Sequence, residues 1–268
     1  MSRNTAQGSS PALLGKRAVV TGAGKGLGRA IALALAEAGA DLAITARTPA
    51  DLETLAAEIE SMGRRCVWVP CDVTDPQQVE STAARCIEGL GGVDILVNNA
   101  GSAESHKFLG HPDELWHRML QINLTSVYYV TKAFMPALVE QRGGRIINIA
   151  SIAARVGERY VVAYTAAKHG VLGLTRALAV ELMPYNITVN SICPGFLDTP
   201  MTEGSIANIT ARTGMTPEQA REALEKMSPQ KRLIEPEEVA AMAVFLAGDA
   251  SKGITGQAIN IDGGGVMS

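Results

Sequence analysis

Short apolar runs alternate with longer amphipathic segments along most of the 268 residues. The runs have the length and β-branched content of strands, and the segments between them repeat their apolar residues at helical spacing. Because the runs are apolar throughout, they predict a parallel sheet that helices cover on both faces. We therefore predict an α/β fold, a single-domain doubly wound parallel sheet of about seven strands, at 17–21, 41–45, 65–70, 95–97, 145–150, 188–192 and 258–261.

The helical segments follow these strands in regular alternation. After a first helix that ends near Ala38, the pattern predicts helices at 50–62, 76–89, about 113–141, about 164–183 and 235–246. Only residues 199–232 break the alternation. A long excursion at the ligand side of an α/β domain is typical of a lid or a substrate-binding segment, although it can also be a mobile surface insertion.

The composition favours one large domain. With 47% hydrophobic residues, the chain can bury a substantial core, and we expect residues 13–268 to form a single catalytic domain. The first twelve residues are mostly small and polar, and we expect them to be a flexible tail.

The charge excludes some classes of partner. A net charge of −3 gives no general basic surface for nucleic acid or an anionic membrane. No apolar run reaches the length of a membrane span. The cysteines and histidines show no metal-site spacing, and the four cysteines are too few for a disulfide framework. We therefore expect a cytoplasmic protein with reduced thiols, no bound metal and a small-molecule substrate.

A glycine-rich stretch, Thr21 to Gly28, joins the first strand to the first helix. In this arrangement backbone N–H groups and a helix N-terminus can bind a pyrophosphate. The alternative is a tight turn without a ligand. The pattern favours a dinucleotide, with Gly22, Gly26 and Gly28 as the glycines of interest.

Two cations indicate which dinucleotide is bound. In a dinucleotide-binding unit the end of the second strand faces the adenine ribose, where an acidic residue selects a free 2′-hydroxyl and a cation accommodates a 2′-phosphate. This strand is followed by Arg47, and Lys25 in the glycine-rich stretch could reach the same phosphate. NADP(H) is favoured and NAD(H) is possible; both residues could also be ordinary surface cations.

Further polar residues follow other strands. Asp72 follows the third strand, the Asn-Asn-Ala-Gly sequence at 98–101 follows the fourth, and Ser151 follows the fifth. The carboxyl ends of parallel strands share one edge, where ligands of such sheets lie. Asn123 lies inside a predicted helix, where Asn is unfavourable because its side chain competes for backbone hydrogen bonds. Asn123 therefore either bonds locally or marks a distortion of the helix.

Tyr164 and Lys168 are four residues apart at the start of a long helix. Residues at this spacing share a helix face, so the phenol and the ammonium can converge. A phenol titrates near ~10, and a close cation favours its ionised form, so the pair could exchange a proton nearer to neutrality. A solvated helix face is the alternative. The rest of this helix is apolar on nearly all sides, which predicts a contact between subunits.

Together these residues resemble the classical short-chain dehydrogenase/reductase family, from about Leu14 to Gly265. The resemblance implies a Rossmann-type fold and a nicotinamide-dependent oxidoreductase that assembles as a dimer or tetramer. The matching motifs are Thr21-Gly-x-x-x-Gly-x-Gly28, Asp72 with Val73, Asn98-Asn99-Ala100-Gly101, Asn123, Ser151, Tyr164-x-x-x-Lys168 and Pro194-Gly195.

The resemblance also implies a role for each residue. Tyr164 would exchange a proton with the substrate oxygen, Ser151 would hydrogen-bond that oxygen, and Asn123 would support a water-linked proton path. Lys168 would hold the nicotinamide ribose and lower the Tyr164 pKa. The implied cofactor contacts are Gly22, Lys25, Gly26, Leu27, Gly28, Arg47, Asp72, Val73, Asn99, Ala100, Gly101, Tyr164, Lys168, Pro194, Gly195 and, near the carboxamide, Thr199.

The pattern looks most like 3-oxoacyl thioester reductases and related secondary-alcohol dehydrogenases. Val180 stands where those reductases often carry a basic residue for docking the acidic carrier protein, although Arg142 could serve instead. A dehydrogenase of a small or cyclic secondary alcohol is therefore the alternative. A dinucleotide-sensing protein without turnover is the hypothesis from another class.

Overall fold

Seven parallel strands form one sheet in the computed structural model, which describes residues 11–267. Across the sheet their order is β3-β2-β1-β4-β5-β6-β7. The predicted Rossmann-type α/β fold is confirmed. The strands are β1 (Arg17–Thr21), β2 (Asp41–Ala46), β3 (Cys66–Pro70), β4 (Ile95–Asn98), β5 (Arg145–Ile149), β6 (Thr188–Pro194) and β7 (Ala258–Ile261).

Helices cover both faces of the sheet. On β1, Ala18 and Val20 pack into the cluster on one face, whereas Val19 packs into the cluster on the other. This two-sided burial explains why the strands are apolar throughout. The helices are α1 (Gly26–Glu37), α2 (Pro49–Ser61), α3 (Pro76–Leu90), α4 (Asp113–Leu120), α5 (Ser126–Glu140), α6 (Val162–Glu181), α7 (Pro200–Thr213), α8 (Pro217–Glu225) and α9 (Pro236–Ala247).

The prediction of a single helix at about 113–141 is wrong in one respect. A π-helical turn, Gln121–Thr125, separates α4 from α5. Asn123 lies in this turn, and its Nδ2 donates to the carbonyl oxygen of Met119 at 3.0 Å. The distortion expected at Asn123 is therefore present, and π-turns of this kind are frequent at functional sites.

Other differences lie at the ends of elements. β6 continues to Pro194, two residues beyond the prediction, because Pro194 pairs with Ile261 of β7. The excursion at 199–232 contains α7 and α8, and Thr216 caps α8 as part of a capping box. Of the predicted tail, residues 1–10 lie outside the described part, and Leu13 is already buried. Within 11–267, none of the helices combines the length and apolarity of a membrane span.

Candidate active site

The predicted site residues lie along one edge of the sheet. β1 pairs with β2 on one side and with β4 on the other, so the strand order reverses direction between β1 and β4. Open α/β sheets bind ligands beyond the strand ends at such a point. The residues that follow β1, β3, β4, β5 and β6 therefore face a common region.

Asn99 ties the glycine-rich turn to the end of β4. Its Nδ2 donates to the carbonyl oxygens of Thr21 at 2.9 Å and Gly22 at 3.1 Å. In return, Thr21 Oγ1 accepts from the backbone N–H groups of Asn99 at 3.0 Å and Ala100 at 3.1 Å. Asn99, implied as a cofactor contact, therefore also fixes the turn, together with Thr21.

The glycine-rich turn leaves no room for side chains. A Cβ on Gly28 would collide with the carbonyl oxygen of Gly22 and with Asn99 Nδ2, and one on Gly22 would lie 2.8 Å from Ala100 Cα. Gly26, the first residue of α1, has a φ of +55°, and no side chain caps this helix. The exposed N–H groups of a helix N-terminus fit the pyrophosphate of a dinucleotide.

Lys25 lies in this turn, and Arg47 follows β2, whose last residue borders the turn: a Cβ on Gly24 would lie 3.4 Å from Ala46 Cβ. Both cations are exposed, and within residues 11–267 neither forms an ion pair or a side-chain hydrogen bond. Asp51, on the first turn of α2, also borders the turn: a Cβ on Gly24 would lie 3.0 Å from Asp51 Cβ. Asp51 was not singled out, because only the fold brings it to the turn.

Asp72 shapes the loop after β3. Its Oδ1 accepts from the backbone N–H of Thr74 at 2.9 Å and from the Thr74 hydroxyl at 2.7 Å. Val73, between them, is buried. Asp72 and Val73, both implied as cofactor contacts, therefore lie in a hydrogen-bonded turn after β3.

Ser151, Tyr164 and Lys168 converge beyond β5. Ser151 follows this strand directly, and its Oγ accepts from the backbone N–H of Ala153 at 3.1 Å. Tyr164 and Lys168 lie one turn apart on α6, with Lys168 Nζ 5.6 Å from the centroid of the Tyr164 ring. Lys168 Nζ donates to the carbonyl oxygen of Ile149 at 2.8 Å.

The predicted lowering of the Tyr164 pKa by Lys168 is not found in this structure. Burial raises the pKa of Tyr164 to about 12; the Ser151 hydroxyl acts in the opposite direction, and the negative charge of Glu158 adds to the rise. Burial also lowers the pKa of Lys168 to about 8. Loss of hydration is the largest cause of both shifts. Tyr164 is therefore a protonated phenol at neutral pH, the form that can donate a proton.

Asn123 connects the π-helical turn to the loop after β4. Its Nδ2 donates to the carbonyl oxygen of Ser102 at 2.8 Å, and its Oδ1 accepts from the Ser102 N–H at 3.2 Å. A Cβ on Gly101 would lie 2.8 Å from Asn123 Oδ1 and 3.7 Å from Lys168 Nζ. Both polar atoms of the Asn123 side chain thus bond the chain itself.

Pro194, Gly195 and Thr199 complete the edge beyond β6. The N–H of Gly195 donates to the carbonyl oxygen of Ile261 at 2.9 Å. Thr199 precedes α7 as its N-cap, yet its side chain forms no capping hydrogen bond. Instead it packs on the glycine-rich turn, since a Cβ on Gly26 would lie 3.5 Å from Thr199 Cβ. Thr199 thus lies next to the predicted pyrophosphate site.

The negative charge of Glu158 acts on Tyr164, whose pKa it raises. This carboxyl lies between Ser151 and Tyr164 in sequence, and burial raises its pKa. A charged residue midway between two proposed catalytic residues was the available signal. A small cavity adjoins Ile152, the residue after Ser151. It is lined by apolar Ile152, Phe196, Leu224 and Met227 and by polar Ser228, Arg232 and Asp262, among others.

Comparisons with known proteins cover all of these residues. Residues 22–265 match the family model described as Enoyl-(Acyl carrier protein) reductase. The chain is 39% identical to D-beta-hydroxybutyrate dehydrogenase of Rhizobium meliloti (strain 1021) over 252 residues, which are 93% of this chain and 98% of that protein. It is 36% identical to 3-oxoacyl-[acyl-carrier-protein] reductase of Thermotoga maritima over 255 residues, which are 95% of this chain and 99% of that protein.

A solved structure agrees with these relatives. Actinorhodin polyketide ketoreductase with NADPH superposes with a TM-score of 0.90 at 36% identity, covering 93% of this chain and 97% of that chain. The similarity therefore extends over the sheet, the glycine-rich turn, the Ser151, Tyr164 and Lys168 set and the segment that follows β6.

Proposed function

Because the chain belongs to the short-chain dehydrogenase/reductase family, we propose that it is an NADP(H)-dependent reductase of 3-oxoacyl thioesters of acyl carrier protein or CoA. The reaction class is that of an NAD(P)-dependent oxidoreductase acting on a carbonyl or secondary alcohol. The observation that carries the finer proposal is the convergence of Ser151, Tyr164 and Lys168 beside a partly apolar cavity.

The chain's own contribution is proton supply and orientation. The nicotinamide, when bound, supplies or accepts the hydride. The Ser151 oxygen accepts from Ala153 N–H, so its hydroxyl proton is left to bond a substrate oxygen. Protonated Tyr164 donates the proton to that oxygen, and Lys168 would hold the nicotinamide ribose. Two hydroxyl donors suit a carbonyl oxygen, on which negative charge develops, better than a carbon–carbon double bond.

The cofactor proposal rests on Lys25 and Arg47. Both cations are exposed, Lys25 in the glycine-rich turn and Arg47 after the strand that borders it, and a 2′-phosphate bound there would neutralise their charge. Asp51, close to Gly24, acts against a phosphate in the same place. NAD(H) is therefore the second candidate.

The substrate proposal rests on the cavity beside Ile152. Ile152, Phe196, Leu224 and Met227 give part of this cavity the apolar wall that an acyl chain requires, beside polar Ser228, Arg232 and Asp262. A dehydrogenase of a small secondary alcohol is the second candidate, supported by the 39% identity to D-beta-hydroxybutyrate dehydrogenase. A dinucleotide-sensing protein would not need the complete proton-donating set that this chain carries.

We further propose a cytoplasmic homo-oligomer, a dimer or a tetramer. On the outer side of α6, the apolar side chain of Val180 is 67% exposed. A contact with another subunit would remove this apolar surface from water. The four cysteines are free thiols, which agrees with a reducing compartment.

Turnover of a carbonyl panel tests the function. With NADPH, we expect acetoacetyl-CoA to react faster than acetoacetate or a cyclic ketone. We also expect acetoacetyl-CoA to react faster with NADPH than any of the three substrates reacts with NADH. Tyr164→Phe should lower kcat by at least about a hundredfold, because it removes the general acid. It should leave NADPH binding in place. Full activity in Tyr164→Phe would contradict the mechanism, and preference for another ketone would contradict the substrate class.

A further inference from the structure

Asp198, the residue before Thr199, is held through its backbone. Its N–H donates to the carbonyl oxygen of Ile234 at 3.0 Å, and the Ile234 N–H donates to the carbonyl oxygen of Phe196 at 2.9 Å. Leu197 forms a parallel bridge with Ile234. The two ends of the predicted substrate-binding segment are thereby joined at this point.

The Asp198 side chain is held by Arg221 of α8. Arg221 Nη1 donates to Oδ1 at 3.2 Å and Nη2 donates to Oδ2 at 2.5 Å, a two-point contact. Exposed ion pairs usually contribute little, but this one has bidentate geometry and belongs to a network. Arg221 Nε also donates to Glu225 at 3.0 Å, and its bonds to the two carboxylates raise the Arg221 pKa, with Asp198 contributing most.

Thr199 directly follows the residue whose carboxylate Arg221 binds. A threonine that precedes a helix ordinarily caps it with its side chain, but Thr199 makes no such bond and packs against Gly26 of the glycine-rich turn. A shift at Asp198 would therefore move Thr199 relative to the pyrophosphate site.

We infer that Arg221 is a positioning residue, whose two-point contact with Asp198 holds Thr199 against the glycine-rich turn. This contact thereby sets the affinity for the part of the cofactor beyond the adenosine half, which is the pyrophosphate with the nicotinamide. The inference rests on the proposed function for the identity of the cofactor. It also links two sites, because Leu224 lines the cavity beside Ile152 one turn further along α8.

The test compares Arg221→Gln with Glu225→Gln in the full-length chain. Glu225→Gln removes the other partner of Arg221 and leaves the contact with Asp198, so it is a matched control. Binding of NADPH and of 2′,5′-ADP, which contains only the adenosine half, is measured by fluorescence and calorimetry. We expect Arg221→Gln to weaken NADPH by about tenfold, the equivalent of about 1.4 kcal/mol. The affinity of Arg221→Gln for 2′,5′-ADP should stay within about twofold of that of the original chain. The affinities of Glu225→Gln for NADPH and for 2′,5′-ADP should do the same.

Asp198→Asn provides a second route to the same effect if Arg221→Gln folds poorly. The double variant should bind NADPH no more weakly than either single one, since both remove one contact. Equal weakening of NADPH and 2′,5′-ADP, the same loss in Glu225→Gln, or unchanged NADPH affinity would overturn the inference. An original chain that binds neither NADPH nor NADH would instead contradict the proposed function. If it binds NADH alone, the same comparison is made with NADH and AMP.

Discussion

Lys168 Nζ lies 5.6 Å from the centroid of the Tyr164 ring and donates its hydrogen bond to the carbonyl oxygen of Ile149. Burial acts on the two groups in opposite directions, raising the pKa of Tyr164 to about 12 and lowering that of Lys168 to about 8. Both shifts favour the neutral form of the group. The pair is therefore ready to give a proton in reduction, whereas alcohol oxidation requires a further influence that favours the phenolate.

The buried lysine should make folding stability depend on pH. An unfolded lysine titrates near 10.5, so between pH 8 and 10.5 the unfolded chain binds more protons than the folded chain, and the Lys168 contribution to stability rises with pH. Below about pH 8, Lys168 is charged in the folded chain, and burying this charge lowers the free energy of unfolding by roughly 3 kcal/mol. Lys168→Met should abolish this rise.

Denaturation by urea at several pH values between about 7 and 10 checks this prediction. The stability of Lys168→Met relative to the original chain should fall as pH rises. The comparison uses this pH dependence because the variant also leaves the Ile149 carbonyl without its hydrogen bond, which lowers stability at every pH. Lys132→Met, at an exposed position of α5, is the control. Parallel curves for Lys168→Met and the original chain would show that Lys168 is not desolvated.

Glu158 should control the pH at which Tyr164 ionises. Its charge raises the pKa of Tyr164, so Glu158→Gln should lower that pKa. In alcohol oxidation the pH dependence of kcat/KM should then shift to lower pH, because the phenolate forms earlier. Lys168 and Cys193, the other titratable groups beside Tyr164, remain unchanged. Glu88→Gln, on the exposed side of α3, serves as control. If the pH profile of Glu158→Gln stays where it was or moves to higher pH, Glu158 does not raise the Tyr164 pKa.

The fold was predictable because local sequence and tertiary burial agree. Val19 and Val20 pack on opposite faces of the sheet, so a run without alternation was direct evidence for a covered parallel sheet. Asn123 was recognisable as a misplaced residue within a helical pattern. Its partner Ser102 was not, because 21 residues separate them and only the return of the chain past β4 brings them together.

The site was predictable as a set of residue types, and less so as a set of contacts. Tyr164 and Lys168 share a helix face at a spacing that the sequence shows directly. The bond from Lys168 to Ile149, by contrast, depends on how α6 packs on β5. Because hydration and partners control a pKa, the sequence suggested a lowered Tyr164 pKa where the structure gives a raised one.

Cofactor preference should respond to Arg47. Arg47→Asp replaces a cation beside the adenine ribose with an anion, which repels a 2′-phosphate and can bond a free 2′-hydroxyl. We expect NADPH affinity to fall by about tenfold or more, with NADH affinity unchanged or improved. Both dissociation constants are measured by fluorescence titration. Arg142→Asp, an exposed cation after α5, is the control. Equal loss of both nicotinamides in Arg47→Asp would count against the 2′-phosphate site.

The outer side of α6 should mediate assembly. Val171 and Ala179 pack inward, whereas Val180 on the same helix is 67% exposed and Met183, just beyond its end, is 53% exposed. Apolar side chains left uncovered on a helix that already buries its inner face are typical of a contact between subunits.

A carboxylate placed on this side of α6 would have to be buried without a partner when subunits associate, which is costly. Val180→Glu should therefore reduce the mass measured by light scattering to that of smaller species, with little change in the melting temperature at high dilution. Leu14→Glu makes the same change at an exposed position away from α6 and should leave the mass unaltered. An original chain that is monomeric, or a Val180→Glu variant that assembles as before, would remove α6 as the interface.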